Sequence, residues 1–359
     1  MKSSKKIFVC IVLIIISIIS FILINKKVNN KTFNYNGSTI ALTIDGNSAT
    51  SFPTSGKYSV SVDCKNASGK WNPKTWKLEI TKITGTVTCD VSFNSNVSNL
   101  TTVVNNKATR NENGKRYEDK YPNNYIWFND ELWRIIGNIP VCLTSGCTSS
   151  ENRVKIIKNE SIGAFTYDIG KSSTWIGSTI QNLLNTCYLG KASSCESYCY
   201  LSMNSIKGTC DYSTDGIDEN DFYGLMIENV YYNIGAGDGT YKNAANYYIQ
   251  ETASHTTTAL KIGLMYASDW GFAIADYNEV LGGDDTLRLS AKNWLFSQGF
   301  EWTMSEHSSS NLVLVHPLSY LYYGNVYGGN GVRPVLYLKS DVYVVSGTGT
   351  QVDPYRIGM

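Results

Sequence analysis

The residues best suited to binding chemistry in this sequence are tyrosines near its C-terminal end. Between positions 305 and 331 they stand among serine, asparagine and glycine. Tyrosine offers a large contact area at low cost in side-chain entropy, while the small polar residues supply adaptable contacts, as in antibody combining sites. We therefore predict a ligand-binding surface formed by Tyr320, Tyr322, Tyr323, Asn325 and Tyr327. The alternative is that these are ordinary strand and hairpin residues, because the chain contains 25 tyrosines.

The densest group of carboxylates offers a second chemistry, the binding of calcium. Calcium requires several oxygen ligands, and Asp215, Asp218 and Asp221 could supply them, with Glu219 between them. Their spacing differs from that of an EF-hand loop, so a solvated acidic loop is the favoured interpretation. The sequence predicts no cofactor, with calcium at these aspartates as the alternative.

Catalytic signatures are missing from the sequence. It contains no G-x-S-x-G elbow of a serine hydrolase. The three histidines, His255, His307 and His316, lie on separate segments without the spacing of zinc ligands. The paired carboxylates of a glycoside hydrolase can come from distant positions, so that activity stays open. We expect a non-catalytic binding or adhesion protein, with two alternatives: an extracellular hydrolase of cell-wall or host polysaccharide, and a structural envelope protein without a ligand.

Cysteine usage is typical of an exported protein. One of the nine cysteines, Cys10, lies in an apolar run, and the even number of eight beyond it predicts four disulfides in an oxidising compartment. The spacing suggests two local pairs and one cluster: Cys64 with Cys89, Cys142 with Cys147, and the group Cys187, Cys195, Cys199 and Cys210. The group allows three pairings, of which Cys187–Cys195 with Cys199–Cys210 is favoured. Reduced thiols or a metal site are the alternative, although no spacing matches a paired C-x-x-C ligand set.

An uncharged apolar run occupies residues 7–24. As a helix it would span roughly 27 Å, close to the thickness of the hydrocarbon core of a membrane. Asn25, Lys26 and Lys27 follow it where a cleavage site would have small residues, which favours an uncleaved signal anchor over a cleaved signal peptide. Three lysines before the run favour a cytoplasmic N-terminus. We therefore expect the membrane as a partner and a single-pass cell-membrane protein with an extracellular ectodomain.

The charge balance argues against nucleic acid as a partner. The formal net charge is +1, from 31 basic and 30 acidic residues. Five of the lysines lie within the first 27 residues, where there is no acid, so 26 basic and 30 acidic residues remain, a net charge of −4. Phosphate binding needs a basic face. The expected partner is instead a glycan or a protein at the cell surface.

Composition and patterning divide the chain into five predicted segments: a cytoplasmic tip and transmembrane anchor (1–27), a polar linker (28–38), a small immunoglobulin-like β-sandwich (39–95), a connector (96–120) and a second domain (121–359). The sandwich is inferred from period-two alternation between turn signals. Such a small core needs the staple of a disulfide, here Cys64–Cys89. This module resembles the short immunoglobulin-like modules that space binding domains away from bacterial cell surfaces.

The second domain has the pattern of an irregular α+β fold. It opens with two apolar stretches around an Asn129-Asp130 turn, which predicts a hairpin. Residues 178–188 place apolar side chains at helical spacing behind a capping serine. Further strands are predicted at 153–158, 261–266, 271–275, 312–315 and 332–338. Long glycine- and tyrosine-bearing loops between short strands argue against a parallel sheet.

Three stretches of the second domain carry a family resemblance: KIGLMYASDWG at 261–271, NWLF at 293–296 with EWT at 301–303, and GVRPVLYL at 331–338. They resemble the C-type lectin-like domain in the broad sense, which includes the formylglycine-generating enzyme and hypervariable bacterial and phage receptor-binding proteins. The last residues, 347–355, are similar to the ends of uncharacterised surface proteins of Gram-positive bacteria. The resemblance implies that the tyrosine-bearing segment displays the ligand contacts. It does not imply formylglycine-generating activity, because no cysteine follows Cys210.

The side chains of these stretches are expected to be structural first. Trp294 and Trp302 are predicted to lie in the core, and Glu301 to accept hydrogen bonds from loop amides. Arg333 is predicted to pair with a carboxylate and so fix the end of the chain against the opening hairpin. The predicted fold class is therefore an α+β C-type lectin-like domain, preceded by an all-β sandwich and one N-terminal transmembrane helix.

Overall fold

Strands dominate the protein, as the many β-branched and aromatic residues of the sequence favour. A computed structural model describes residues 32–201, 206–240, 242–275, 281–282, 293–296 and 299–359. The chain divides into two compact units, Met1–Asn96 and Val97–Met359.

The first unit contains the alternating segments that the sequence marks as strands, and it also has a strand at Thr32–Tyr35, within the predicted linker 28–38. Its strands are β1 (Thr32–Tyr35), β2 (Ser38–Ile44), β3 (Asn47–Ala49), β4 (Ser59–Lys65), β5 (Ser68–Asn72), β6 (Lys77–Thr81) and β7 (Thr88–Asn94). The main sheet has the order β1-β2-β7-β4, with β3 paired to β2, and β5 and β6 form a separate hairpin. Alternate residues of β7 are buried, among them Val91 and Phe93, and Trp71 of β5 packs its ring 4.8 Å from that of Phe93.

The second unit holds the remaining strands: β8 (Ser98–Asn99), β9 (Arg110–Asn111), β10 (Lys115–Arg116), β11 (Tyr125–Phe128), β12 (Glu131–Cys142), β13 (Ser150–Lys158), β14 (Ala164–Thr166), β15 (Ile262–Gly263), β16 (Glu301–Ser308), β17 (Asn311–Val315), β18 (Leu321–Asn325), β19 (Gly329–Gly331), β20 (Val335–Leu338), β21 (Tyr343–Ser346) and β22 (Tyr355–Gly358). Its described helices are short: α1 (Leu100–Lys107), α2 (Thr179–Asn182), α3 (Ala244–Glu251) and α4 (Ala267–Phe272). Single turns occupy Ser145–Cys147, Leu183–Tyr188 and Gly224–Met226.

A large sheet forms the body of this unit, in the order β15-β20-β13-β12-β11-β22-β21-β8, with β10 joining β12 to β9. Its centre is the predicted opening hairpin: β11 and β12 pair antiparallel around Asn129 and Asp130, which both have positive φ, as a tight turn requires. The C-terminal strand β22 lies parallel to β11, with Tyr355 opposite Ile126. The chain end is thereby fixed beside the start of the unit.

A small sheet carries the tyrosine-bearing segment. Its order is β14-β19-β16-β17-β18, so β18 lies at its edge. Trp302 of β16 is fully buried and donates a hydrogen bond from Nε1 to the carbonyl oxygen of Phe165 at 2.7 Å. Trp294 is also buried, which confirms the prediction that both tryptophans are core residues.

The helices follow their capping residues. Ser178 accepts a hydrogen bond from the backbone N–H of Gln181 at the start of α2, as predicted, and a π-helical turn continues to Tyr188. The strand predicted at 271–275 is wrong, because residues 267–272 form α4. The carboxylate of Asp269 accepts a hydrogen bond from the backbone N–H of Tyr266 at 2.9 Å, and this local contact starts a helix where alternation alone suggested a strand.

The predicted fold class requires correction. The chain is mostly β, with 38% strand and 12% helix, so α+β is wrong. Within the described ranges the longest helices have eight residues, or about 12 Å, and none is long and apolar enough to cross a membrane. The predicted anchor at 7–24 lies outside those ranges. The transmembrane helix and the single-pass cell-membrane localisation are therefore not retained. The membrane as a partner stays a prediction.

Four disulfides link cysteines of the described residues: Cys64–Cys89, Cys142–Cys147, Cys187–Cys195 and Cys199–Cys210. These are the pairs that the spacing favoured, including those of the cluster with three possible pairings. Cys64 and Cys89 lie directly opposite each other on β4 and β7 of the first unit. Disulfides of this kind form and persist in oxidising compartments.

Candidate recognition site

A continuous row of aromatic side chains crosses the small sheet on its edge side. We name it the aromatic band, and its members are Phe300, His307, His316, Tyr320, Tyr322 and Tyr323. Three adjacent pieces of the chain supply them: β16 with the residue before it, the residue after β17, and β18 with the residue before it. The pairing of β17 with β18 sets Tyr322 opposite Leu314 and Tyr323 opposite Val313. The hairpin register therefore brings together residues that are up to 23 positions apart in sequence.

Neighbouring rings of the aromatic band contact one another along the row. His307 stacks on Tyr323 with ring centroids 4.2 Å apart, and the ring of Tyr323 lies parallel to that of Tyr322 at 5.1 Å. His316 meets Tyr322 edge-on at 5.8 Å. Phe300 in turn packs edge-on against His316 at 4.7 Å. These mutual contacts hold the rings in fixed orientations before any ligand arrives.

Much of the aromatic band is open to solvent. Phe300 is 41% exposed, Tyr322 and Tyr323 are each 40% exposed, and Leu318 beside them is 54% exposed. A contiguous exposed apolar patch of this kind marks an interaction site more often than scattered apolar residues do. Burial lowers the pKa of His307, although the charge of Asp238 opposes the change, so the imidazole is neutral at pH 7.

The structure divides the five predicted binding residues. Tyr322 and Tyr323 lie in the aromatic band, and Asn325 is exposed at the end of the same strand. Tyr320 also belongs to the band, but it is only 7% exposed and stacks on His316 with ring centroids 4.2 Å apart, so it supports the exposed rings and is not itself open to a ligand. Tyr327 is half-buried elsewhere, with the ammonium of Lys171 5.5 Å from its ring centroid.

Phe300 also forms one wall of a cleft of 450 Å³ at the end of the aromatic band. We name it the arginine cleft. Its principal lining residues are Arg134, Glu160, Trp294, Phe300, Glu301 and Arg333. The size is within the range of small-molecule sites, about 300–1,000 Å³. Polar and aromatic side chains thus meet in one concave place directly beside the exposed rings.

Arg333 holds the inner wall of the cleft together. Its Nε donates to Glu301 Oε1 at 2.7 Å, and its Nη2 donates to the carbonyl oxygen of Leu295 at 2.7 Å. Both Arg333 and Glu301 are buried. The prediction that Arg333 pairs with a carboxylate is confirmed, but the partner lies on β16 and not on the opening hairpin. Glu301 correspondingly contacts a guanidinium and not the predicted loop amides.

Arg134 enters the same cleft from β12 in a different environment. Its guanidinium carbon lies 4.0 Å from the ring centroid of Tyr125 and 4.6 Å from that of Trp294. Its Nε donates to Asn124 Oδ1 at 2.7 Å, and no carboxylate of the described residues lies within ion-pair distance. Burial lowers the pKa of Arg134 to about 10, and the charge of Arg333 acts in the same direction. The side chain therefore remains a cation at neutral pH.

A second group of charges lies in a fully closed part of the unit. We name it the closed charge cluster: Arg116, Lys155, Glu251, Ser268, Asp269 and Ser305. Asp269 accepts from Arg116 at 2.9 Å and pairs with Lys155, while Glu251 accepts hydrogen bonds from both serines. Burial alone would raise the pKa of Asp269, but the charges of Lys155 and Arg116 lower it below its ordinary value. Because Asp269 is paired with two cations and Glu251 is held by two hydroxyls inside the core, this arrangement is structural.

The acidic residues proposed for calcium serve local structure. Asp221 accepts hydrogen bonds from the backbone N–H groups of Tyr223 and Gly224 at 2.9 Å, and Asp218 accepts from that of Asn220. Asp215 is exposed and is not brought into ligand distance of both of them in the part of the chain that the structure describes. The geometry gives the calcium hypothesis no support.

Among the described residues one trio of possible metal ligands does converge, with the ligand atoms of Cys142, Cys147 and His255 within 4.8 Å of one another. Both sulfurs belong to one disulfide, whereas a metal requires the thiolates. Burial lowers the pKa of His255, so the imidazole is neutral at pH 7. In the oxidised protein this trio is a covalent link beside a histidine and not a metal site.

Sequence reasoning missed Phe300, His307, His316 and Arg134. The histidines were judged by zinc spacing, and their relation to the tyrosines depends on the register of β16, β17 and β18. Arg134 lies in the predicted opening hairpin, and its neighbours in sequence do not indicate that no carboxylate of the described residues pairs with it.

Comparisons with protein-family models, with curated proteins and with solved structures each found no match. The resemblance to C-type lectin-like domains therefore stays a prediction.

Proposed function

We propose that this chain is an extracellular, non-catalytic recognition protein that binds a glycan across its aromatic band. The observation that carries the proposal is the row of mutually stacked rings, of which Phe300, Tyr322 and Tyr323 are each about two-fifths exposed. Exposed apolar patches on soluble proteins often mark interaction sites, so this row of exposed rings indicates a surface that binds a partner.

The chemistry of the aromatic band suits a sugar chain. The C–H faces of pyranose rings are apolar and pack on aromatic faces, while their hydroxyls need hydrogen-bond partners at the margin. The phenol groups of Tyr322 and Tyr323 and the amide of Asn325 offer such partners on the same strand. A row of rings also matches the repeating length of an oligosaccharide better than it matches a single small molecule.

The four disulfides support the extracellular part of the proposal. They are distributed over both units, and disulfides of this kind would not persist in a reducing cytosol. Peptide mapping of the native protein without reductant tests this part directly. Recovery of the same cysteines as free thiols would contradict it.

The hydrolase alternative is less well supported. Two carboxylates, Glu160 and Glu301, line the arginine cleft. Glu301 is buried and its Oε1 already accepts from Arg333, so it does not present a free carboxyl group to a substrate. Prolonged incubation of a bound oligosaccharide with the protein should leave it intact. Cleavage that is lost in Glu160→Gln would establish the hydrolase instead.

The binding proposal is tested by applying the full chain to arrays of glycans and proteins. The double variant Tyr322→Ala/Tyr323→Ala should lose the glycan signal, because it removes the two exposed rings at the centre of the band. Tyr121→Ala is the matched control, since Tyr121 is 80% exposed and lies outside the band. Equal binding by wild type and the double variant would refute the assigned surface.

A further inference from the structure

We propose that the arginine cleft binds the carboxylate of an acidic sugar residue, with Arg134 as its anchor. The inference rests on the proposed glycan binding and deepens it, because it names the chemical class of sugar. It is carried by the environment of one side chain, compared with the other buried arginines of the same unit.

Within the described ranges, each of the other buried arginines has a carboxylate partner. Arg110 pairs with Glu118, Arg116 with Asp269, Arg153 with Glu228 and Arg333 with Glu301. Arg134 is equally buried, at 8% exposure, yet among the described residues no acid compensates it. Burying a cation without a counter-charge is costly, and proteins ordinarily avoid it. An anion delivered by a ligand would supply the missing partner.

The position of Arg134 suits recognition of a carboxylate. Its Nε is occupied by Asn124, which fixes the orientation of the guanidinium, and the two flanking rings of Tyr125 and Trp294 hold its plane. Nη1 and Nη2 have no acceptor among the described residues, and the side chain lines the cleft. Two terminal N–H donors in a fixed fork match the two oxygens of a carboxylate.

The walls of the cleft favour a sugar as the bearer of that carboxylate. Trp294 and Phe300 offer aromatic surface for a pyranose ring, and a volume of 450 Å³ accommodates one such ring. Because Phe300 belongs to both the cleft and the aromatic band, a sugar anchored at Arg134 can continue as a chain over Tyr322 and Tyr323.

The remaining charges of the cleft set its preference. Arg333 is neutralised by Glu301, so the uncompensated buried charge is that of Arg134. Glu160 is an exposed carboxylate at the rim that accepts a hydrogen bond from Asn159. It opposes an incoming anion, and its removal should strengthen binding.

The test is a titration of the full chain with two sugars that differ in one group. Methyl β-glucuronide carries a carboxylate where methyl β-glucoside carries a hydroxymethyl group, and binding is followed by saturation-transfer NMR and calorimetry. The glucuronide should bind about tenfold or more tightly than the glucoside, as for a charge-assisted bidentate contact. N-acetylneuraminic acid serves as a second acidic sugar, and acetate and a short peptide with a free C-terminus serve as carboxylates without a pyranose ring.

Three variants locate the effect. Arg134→Gln should abolish the preference for glucuronide while keeping the hydrogen bond to Asn124, and Arg134→Lys should retain part of it because the charge remains without the fork. Glu160→Gln lies at the surface and should raise the affinity for glucuronide by about threefold, through loss of one like charge. This last variant keeps the test informative even if the substitutions at Arg134 impair folding, since unchanged affinity in it would count against the cleft.

The outcomes separate this inference from the proposed function. Equal affinity for glucuronide and glucoside, or a preference that survives Arg134→Gln in the folded protein, overturns the assignment of the cleft. Binding of the peptide terminus but of neither acidic sugar overturns the choice of a sugar. Neutral oligosaccharides that bind through Tyr322 and Tyr323 without any role for Arg134 leave the proposed function intact and refute the cleft alone.

Discussion

Two of the places in which the second unit buries basic side chains differ in how the charge is compensated. In the closed charge cluster, Arg116 and Lys155 share the carboxylate of Asp269, and all three side chains are at most 2% exposed. In the arginine cleft, Arg134 lies between two aromatic rings with no carboxylate partner among the described residues, and its side chain lines the cleft.

The contrast separates charges that hold the fold from a charge that is available to a ligand. A compensated ion pair in a closed core has no surface on which to bind anything, and removing one partner leaves an unpaired buried charge. An arginine fixed by rings and one amide keeps its remaining donors for a partner that arrives from outside. Substitutions in the closed charge cluster should therefore mainly lower stability, whereas substitution of Arg134 in the arginine cleft should mainly weaken binding.

The largest effect is expected in the closed charge cluster. Asp269→Asn removes the counter-charge of two buried cations and should lower the free energy of unfolding by about 5 kcal/mol, the upper end for a broken buried pair. Chemical denaturation followed by circular dichroism measures it. Asp238→Asn is the control, because the pair of Asp238 with Lys242 is at the surface and should contribute little. A loss no larger than that of the control would mean that the cluster is not structural.

Arg333 is the arginine of the cleft that has a carboxylate partner, and Arg333→Gln tests how much that pair contributes to stability. It leaves Glu301 buried without its cation and frees the carbonyl oxygen of Leu295, so unfolding should become easier by about 3 kcal/mol. The same denaturation experiment applies. The comparison is weakened if this variant proves as stable as wild type.

Arg134→Gln should be markedly milder. It loses two cation–π contacts but leaves no carboxylate unpaired and removes a buried charge that has no counter-charge, so the loss should be at most about 1–2 kcal/mol. Its larger effect should appear in binding of the acidic sugar. If Arg134→Gln destabilised the protein as much as Asp269→Asn while glucuronide affinity stayed constant, Arg134 would belong with the structural charges.

The smallest effect concerns pH. Burial lowers the pKa of His307 in the folded protein. At pH values between this lowered pKa and the ordinary pKa near 6.5, the unfolded chain therefore binds more protons than the folded protein. The stability that this histidine contributes is present above pH 6.5 and is lost as the pH falls below it. Wild type should therefore lose stability relative to His307→Gln when the pH is lowered from 7 to 5. Thermal melting at both pH values measures this, and a difference independent of pH would contradict it.

Sequence patterns predicted the parts of the fold that depend on residues close together in the chain. The hairpin around Asn129 and Asp130 follows from the turn residues, the helix after Ser178 from its cap, and the disulfides from short spacings. The strand predicted at 271–275 was wrong because Asp269 caps a helix through one hydrogen bond that alternation does not reveal.

The site was predictable only in part, for a related reason. Tyr322 and Tyr323 were identified from composition, whereas His307, His316 and Phe300 join them through the pairing of β16, β17 and β18. Strand register depends on which faces are buried across the whole sheet, and a single stretch does not specify it. The isolation of Arg134 from carboxylates is likewise a property of the folded core and not of its neighbours in sequence.

The most direct measurement is the affinity of the full chain for one oligosaccharide that ends in glucuronic acid, compared across wild type, Arg134→Gln, Tyr322→Ala/Tyr323→Ala and the control Tyr121→Ala. Arg134→Gln and the tyrosine double variant should each weaken binding by about tenfold or more, as expected for residues at the centre of a contact, while Tyr121→Ala binds like wild type. One common affinity for all four proteins would contradict recognition through the aromatic band and the arginine cleft.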